Sequence, residues 1–407
     1  MTEPHLPAPR RAAIVFIFVT VVLDMLALGM ILPVLPKLVV HFMGGNTARA
    51  AGIYALFSSV WSLMQFLFAP LLGALSDRFG RRPVVLISNF GLGFDYILMA
   101  LAPTVGWLFV GRVISGITAA SFSTAGAYIA DVTPPEKRSA GFGLLGAAFG
   151  LGFVLGPAMG GVLGDISPRL PFWVAAGLSL LNATYGLFIL PESLPPERRA
   201  GFSLRRANPV GSLNLLRSHP ELLGLAAVLF LAAIAHEALP STFVLYAIHR
   251  YAWDARTIGL TLAGVGVCSM IVSGGLVRPI VSRFGERSAL LAGLFFGAAG
   301  FAIYALAATG HVFWIGIPVM SIWAIADPAS QGLMTRRVSP SEQGRLQGAN
   351  SSLKGIAWLL GAGLFPLTFA HFIGAGRDWH LPGAPFLLSA LFLASAMGLA
   401  WRVTRPR

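Results

Sequence analysis

Six ionisable side chains sit in stretches that otherwise avoid charge. Asp24, Asp95, Arg112, Glu237, Asp327 and Lys354 each fall inside an apolar run long enough to cross a bilayer. A charged group at the centre of a spanning helix costs about 2.5–3.5 kcal/mol on insertion scales. Facing lipid, the six together would cost on the order of 15 kcal/mol, as much as the stability of a whole domain. The expectation is that they face water-filled space or one another. Carboxylates so placed attract a cationic or metal-chelated substrate or exchange protons, and Arg112 would hold an anionic group or neutralise an acid. The competing reading for each acid is a hydrogen-bonded carboxylate that fixes helix packing.

Helical rise gives their depth. Asp24 and Asp95 lie roughly 18 and 20 Å into their runs, near the middle of a hydrocarbon core about 30 Å thick. Glu237 falls near the midplane at roughly 24 Å from one end of its run, and Asp327 and Lys354 at roughly 12–14 Å, a matching depth. We expect Asp327 and Lys354 to form a buried pair that a proton opens, with Glu237 as the carboxylate that titrates; a static structural pair is the alternative. His236 beside Glu237, and Gln65 as a neutral hydrogen-bonding group, are further candidates for proton or substrate contact.

The elements that position these groups are membrane helices. Of 407 residues, 56% are hydrophobic and 11% charged, against roughly 25% charged in soluble domains. Apolar runs fall near 12–40, 49–76, 82–102, 105–130, 139–164, 171–190, 221–248, 257–281, 287–308, 311–335, 345–370 and 381–401. They predict an all-α membrane protein of twelve transmembrane helices. The longest polar interval, 191–220, contains Pro195-Pro196, Arg198-Arg199 and Arg205-Arg206 and reads as a cytoplasmic linker between six-helix bundles at 1–190 and 221–407.

Lys and Arg concentrate on loops of one side. With the amino terminus cytoplasmic, the external segments hold only Lys37, Arg49, Arg169, Arg250, Arg256 and Arg377, so both termini are expected inside. The net charge of +13 is then a signal of topology, not of nucleic-acid binding. The single Cys268 excludes an internal disulfide framework, and the run after Arg10-Arg11 is too long for a cleaved signal core. No nucleotide-cradling loop, Cys/His metal cluster or nucleophile elbow is present. The chain is not expected to be an enzyme or to carry a cofactor, and protons are the expected drive.

The halves repeat each other. Arg78-Phe-Gly-Arg-Arg82 recurs 205 residues later as Arg283-Phe-Gly-Glu-Arg287, and Val132-Thr-Pro-Pro-Glu136 recurs 206 later as Val338-Ser-Pro-Ser-Glu342. Two bundles related by pseudo-symmetry, with a central site reached alternately from each side, are the expected consequence. Between the second and third runs, Gly73, Asp77, Gly80, Arg81 and Arg82 form the most charged short segment, suited to a latch at the water boundary. In the fifth run, Gly152, Gly156, Gly160 and Gly161 put small residues near one helix face for close contact, and Pro157 permits a bend. Pro33 and Pro36 are placed to bend the first helix. Trp61, Phe66 and Phe68 line a pocket or face lipid.

These motifs resemble those of the major facilitator superfamily across essentially the whole chain. Gly73 to Pro83 is similar to the family's loop between helices two and three, and Arg112-x-x-Ser115-Gly116-x-x-Ala119-Ala120 to its fourth-helix motif. Gly143-(x8)-Gly152-(x3)-Gly156-Pro157-(x2)-Gly160-Gly161 is similar to its antiporter pattern. Within the superfamily the chain resembles bacterial tetracycline/proton antiporters through Leu23-Asp24, Pro33 to Pro36, Met64-Gln65-Phe66, Asp95-Tyr96, Ala127 to Asp131 and Leu190-Pro-Glu-Ser193. The family's eighth-helix His and ninth-helix Asp fall on Cys268 and Gly297. The second half therefore offers a different set of groups.

The resemblance implies a proton-coupled antiporter that exports a small amphipathic, drug-like compound, tetracycline-like among the candidates, across the cell inner membrane as a monomer. A proton-linked symporter or uniporter of a sugar or organic acid is the first alternative. A receptor or chaperone that kept the fold without transport is the second. It also implies that Asp77 faces the amino end of helix eleven near Gly344-Arg345, and that Arg81 pairs with Asp131 at the foot of helix four. The second repeat has Ser282 at the place of Asp77 and Glu286 at that of Arg81, so the latch is expected to be asymmetric, with its clearest charges in the first half.

Overall fold

A backbone inside hydrocarbon must satisfy its own hydrogen bonds, which restricts long apolar runs to helices or closed barrels. In the computed structural model, which describes residues 8–118, 121–133, 138–199, 208, 211–339 and 342–405, the regular elements are all helical. They are α1 (Ala8–Ile31), α2 (Leu35–Phe42), α3 (Thr47–Phe79), α4 (Arg81–Leu101), α5 (Val105–Thr118), α6 (Ser121–Val132), α7 (Arg138–Ile166), α8 (Leu170–Ile189), α9 (Asn214–Ser218), α10 (Leu223–His236), α11 (Ala238–Tyr251), α12 (Ala255–Ile271), α13 (Val277–Leu306), α14 (Gly310–Ser321), α15 (Ala326–Thr335), α16 (Gln343–Ile373) and α17 (Ala384–Val403). Ala119, Ala120, the repeat from Pro134 to Glu136, the linker pair Arg205-Arg206, and Pro340 with Ser341 lie outside the described residues.

Among the described residues, ten segments are long and apolar enough to cross a membrane. One of them, Ala255–Leu306, is 52 residues long and turns at Gly285 (φ 77°, ψ 162°), so it carries two passes. The shorter α5, followed by α6, supplies the fourth pass. Counted this way the chain has the twelve passes that its apolar runs require. Pro33 falls in a turn at 32–34 that separates α1 from α2.

The chain forms two compact units. One is Met1–Leu35 with Leu63–Asn208, the other Pro36–Ser62 with Pro209–Arg407. The segment Pro36–Ser62 thus belongs by contact with the second unit, although it lies in the 1–190 half of the sequence.

In the first unit α1 is central, packed against α7 and α8. The α1–α7 contact is backbone against backbone. A Cβ at Gly152 would stand 2.5 Å from Met25 Cβ, one at Gly156 2.8 Å from Gly29 Cα, and one at Gly160 would run into the Met30 carbonyl. The small residues of the fifth pass therefore serve close helix contact. In the second unit α13 packs on α17 and α14 around an aromatic core in which Tyr304 stacks on Phe313 at 4.1 Å and Tyr246 meets Phe386 edge-on at 5.0 Å. Two tyrosine hydroxyls find partners, Tyr246 donating to the Tyr304 carbonyl at 3.1 Å and Tyr251 to that of Ala307 at 2.9 Å, while the Tyr304 hydroxyl is buried with no hydrogen-bond partner among the described residues. The linker is not wholly polar, since α9 buries Leu215 and Leu216.

Asp254 starts α12 as its N-cap, its carboxylate accepting from the Thr257 backbone N–H at 2.7 Å. That bond holds the Asp254 carboxyl below its usual range. A depressed carboxyl stabilises the fold above its ordinary titration near pH 4 and loses that contribution as acid takes the pH down through the folded value. Asp254→Ala should cost about 1 kcal/mol at neutral pH, and the deficit should vanish in acid. Thermal melting of parent and variant at neutral and acidic pH checks both points.

Candidate functional site

Each unit carries its own cluster of polar groups. In the first, Asp24 on α1 is only 4% exposed and is held by amides from two other helices. Asn182 of α8 donates to its Oδ1 at 3.2 Å, and the Thr20 hydroxyl donates to Asn182 Oδ1 at 3.1 Å. With the Asn89 amide turned so that its nitrogen faces the carboxylate, α4 contributes donors at 3.3 and 3.2 Å to the two Asp24 oxygens, and Asn89 Oδ1 accepts from Asn182 at 3.1 Å. Asp24 thus ties α1, α4 and α8 together. Neutral amide donors, which carry no desolvation penalty of a second ion, thus contribute to holding this buried carboxylate.

Asp95, two turns further along α4 than Asn89, is 1% exposed. Both of its carboxylate oxygens are buried with no hydrogen-bond partner among the described residues. Its charged neighbour is Arg112 of α5, close enough to act on it electrostatically. Room for the carboxylate comes from Gly111, where a Cβ would stand 2.8 Å from Asp95 Oδ1. A buried acid without hydrogen bonds is expensive to keep. Nothing in the packing around it repays that cost with a hydrogen bond among the described residues. Gln65 is half-buried on α3.

At one end of this unit stands a charged clamp. Arg81, the first residue of α4, donates from Nε to Asp131 Oδ2 at 3.0 Å and from Nη1 to Asp77 Oδ1 at 2.5 Å. Its side chain is 11% exposed, against 51% for Asp77 and 23% for Asp131. Gly80 precedes it at φ 106°, a region that glycine alone enters without strain. Gly73, one turn before Asp77, has open space where a Cβ would stand. Glu192, from beyond α8, closes the clamp. Its Oε1 accepts from the Arg81 and Leu194 backbone N–H groups at 2.9 Å each, and its Oε2 from that of Arg82 at 3.3 Å. A helix whose own N-cap is glycine is thus capped by a carboxylate 111 residues away.

In the second unit both acids mark breaks in helices. Glu237 is the joint between α10 and α11, and Pro240 removes the N–H that the His236 carbonyl would otherwise accept. Ser241 Oγ donates to the Glu237 carbonyl, and Ser389 of α17 donates to that of Ala235 at 2.9 Å. Gly361 of α16 leaves the space that the Glu237 side chain fills. Asp327 follows a single tight turn, Ile322–Ile325, between α14 and α15, and Pro328 likewise frees a carbonyl. Broken helices place polar groups at membrane depth where a straight helix would not.

The pair expected at matching depth forms, but it is not the buried pair that was expected, since Asp327 is exposed. Lys354 Nζ lies 2.8 Å from Asp327 Oδ1, with 24% and 47% of the two side chains exposed. Gln331, one turn on, donates to the other oxygen at 2.8 Å. The His236 ring lies 5.8 Å from Trp323. That same Trp323 occupies the space beside Gly297, where a Cβ would stand 2.8 Å from its ring. A side chain at 297 would therefore meet Trp323 and Leu393 at once.

Several working residues were not singled out in the sequence. Asn89, Asn182 and Thr20 hold Asp24, Gln331 completes Asp327, and Glu192 caps α4. The two asparagines had a signal, since an amide in a spanning run is costly to bury without a hydrogen-bond partner. Glu192 had none beyond its place in Leu190-Pro-Glu-Ser193, because capping over such a separation is a tertiary event.

Twelve helical passes with ionisable side chains held at membrane depth in both units define a multi-pass membrane transporter. The chain belongs to the Major Facilitator Superfamily, whose family model matches residues 17–362. It is 38% identical to the class C tetracycline resistance protein of Escherichia coli over 96% of this chain and 93% of that one. With the class D tetracycline resistance protein of Salmonella ordonez it shares 35% over 98% of each. Among solved structures it superimposes on the human organic anion transporter MFSD10 (TETRAN) with a TM-score of 0.69 at 25% identity, covering 98% of this chain and all of that one. The nucleoside transporter NupG gives 0.77 at 14% identity, with 97% and 100% covered, a likeness of fold alone.

Proposed function

We propose that this protein exports a small amphipathic drug of the tetracycline type in exchange for protons, by alternating access across the cell inner membrane, as a monomer with both termini cytoplasmic. The observation that carries the reading is Asp95, a buried carboxylate without hydrogen bonds beside Arg112, in a chain whose curated relatives over nearly its full length are tetracycline resistance proteins. In its ionised form Asp95 attracts a cationic or metal-chelated drug. A proton arriving from outside neutralises it, releases the drug and allows the return step. Inward movement of one charge supplies about 2.3 kcal/mol per 100 mV of membrane potential, enough to sustain a drug gradient.

The second unit contributes the Asp327–Lys354 pair and Glu237. Protonation of Asp327 breaks its bond to Lys354, and Glu237, at the helix joint, is the second carboxylate that exchanges a proton. Glu237→Gln and Asp327→Asn, made separately, should each lower proton-driven exchange by about tenfold, equivalent to ~1.4 kcal/mol. Full coupling in both variants would remove these residues from the mechanism. The reading as a whole is tested by export of a panel of amphipathic drugs, tetracyclines included, from an efflux-deficient cell with and without a protonophore. It fails if no compound leaves in an uncoupler-sensitive manner.

A further inference from the structure

The clamp around Arg81 exists twice, and the second copy has its charges exchanged. Gly80 (φ 106°, ψ 160°) and Gly285 (φ 77°, ψ 162°) adopt the same turn, and each is followed by the residue that closes an ion pair. In the first unit Arg81 reaches Asp131 at 3.0 Å. In the second, Glu286 Oε1 reaches Arg336 Nη2, also at 3.0 Å. Glu286 stands 205 residues after Arg81 and Arg336 stands 205 after Asp131, so the two pairs occupy equivalent places with opposite sign. The next residue repeats too. Arg82 donates to the Leu187 carbonyl at the end of α8, and Arg287 to the Thr404 hydroxyl just beyond α17. Gly332, one turn before Arg336, leaves space for the Glu286 carboxylate. The latch was expected to be asymmetric with its clearest charges in the first half; the second half also carries an ion pair at the equivalent place, of opposite sign.

Polarity matters because both partners sit at helix ends. A helix N-terminus favours an anion and a C-terminus a cation. Arg81 at the start of α4 and Asp131 in the last turn of α6 oppose both dipoles. The first clamp therefore needs outside help, which Glu192 gives at the α4 N-terminus and Ser193, donating to Asp131 Oδ2 at 3.2 Å, gives at the other. Glu286 at the resumed start of α13 and Arg336 at the end of α15 agree with both dipoles. The second clamp needs no capping carboxylate, and Glu286 is itself the anion at the helix start.

We infer that Glu286 and Arg336 are a positioning pair, a strut that stays closed through the transport cycle and makes the second unit move as one piece, whereas Arg81–Asp131 is the releasable clamp. The inference rests on the alternating-access reading above. In the full-length protein with Cys268→Ser, cysteines at 286 and 336 are joined by a bifunctional thiol reagent, and in a second protein cysteines at 81 and 131. Joining 286 to 336 should leave drug export within about twofold of the unjoined protein, and joining 81 to 131 should stop it; loss of export on joining 286 to 336 overturns the strut. Melting of the purified protein does not depend on what is exported. Glu286→Gln and Arg336→Gln should each lower the melting temperature, with the exchanged pair Glu286→Arg/Arg336→Glu recovering part of the loss. Each single loss should correspond to no more than about fivefold in the folded ratio, the scale of a partly exposed pair. Unchanged melting in both single variants overturns the pair. Absence of export from the protein carrying Cys268→Ser alone, with these melting shifts intact, would fail the transport reading and leave the pair standing.

Discussion

Asp95→Asn is expected to leave the protein at least as stable as the parent and to cost about tenfold or more in uncoupler-sensitive export, ~1.4 kcal/mol or above in the transport barrier. The two effects have opposite signs for one reason. Asp95 is 1% exposed and neither carboxylate oxygen has a hydrogen-bond partner among the described residues. Burying an ion is more costly than burying an amide of the same shape, so the carboxamide relieves a burden that the parent carries. The same change removes the group that exchanges protons and attracts a cationic drug. Stability stored as strain at a working site and released by an inactivating change is the usual trade. Melting of the purified variant, set beside drug export with and without a protonophore, measures both signs. A variant that exports normally would exclude Asp95 from coupling, and one that melts far lower would give it a structural role.

Gly156→Val should be strongly damaging to the first unit. A Cβ at 156 would stand 2.8 Å from both Gly29 Cα and the Leu26 carbonyl oxygen. These are backbone atoms of α1 and cannot swing aside as a side chain can. Forcing the helices apart costs about 1–3 kcal/mol in overpacking alone, and here it also disturbs the Asp24 cluster that the same helix carries. Gly143 begins the same glycine pattern in sequence but has nothing within 4 Å of its Cβ position. Gly143→Ala should therefore be neutral or stabilise by up to ~1 kcal/mol, the helix propensity difference. The yield of folded protein and its melting temperature, compared between the two variants, decide the point. Equal effects would mean that the α1–α7 contact is looser than its geometry.

That comparison marks how far the sequence reaches. Glycine spacing announces a helix face for close contact, but Gly143 and Gly156 look alike until α1 is laid against α7. The intramembrane acids are legible because a charge in an apolar run stands out without any fold. What surrounds each acid is not legible. Asp24 and Asp95 have the same residue type and similar depth, yet one meets the amides of Asn89 and Asn182 and the other meets no hydrogen-bond donor among the described residues. Asp327 with Lys354 was legible because helical rise alone puts them level, while Gln331 on the second oxygen was not.

The sequence by itself determined the class of protein: twelve apolar runs, a duplicated half with its repeat offset, and ionisable groups that lipid forbids. These follow from length, hydropathy and helical rise, which act locally. Only the tertiary structure decided which charges are partners and which helix ends they occupy. Arg81 and Glu286 look like unrelated substitutions in a repeat until Asp131 and Arg336 are brought to 3.0 Å from them. The sign of a clamp against a helix dipole is a property of two helix ends meeting, and no single stretch of chain contains it.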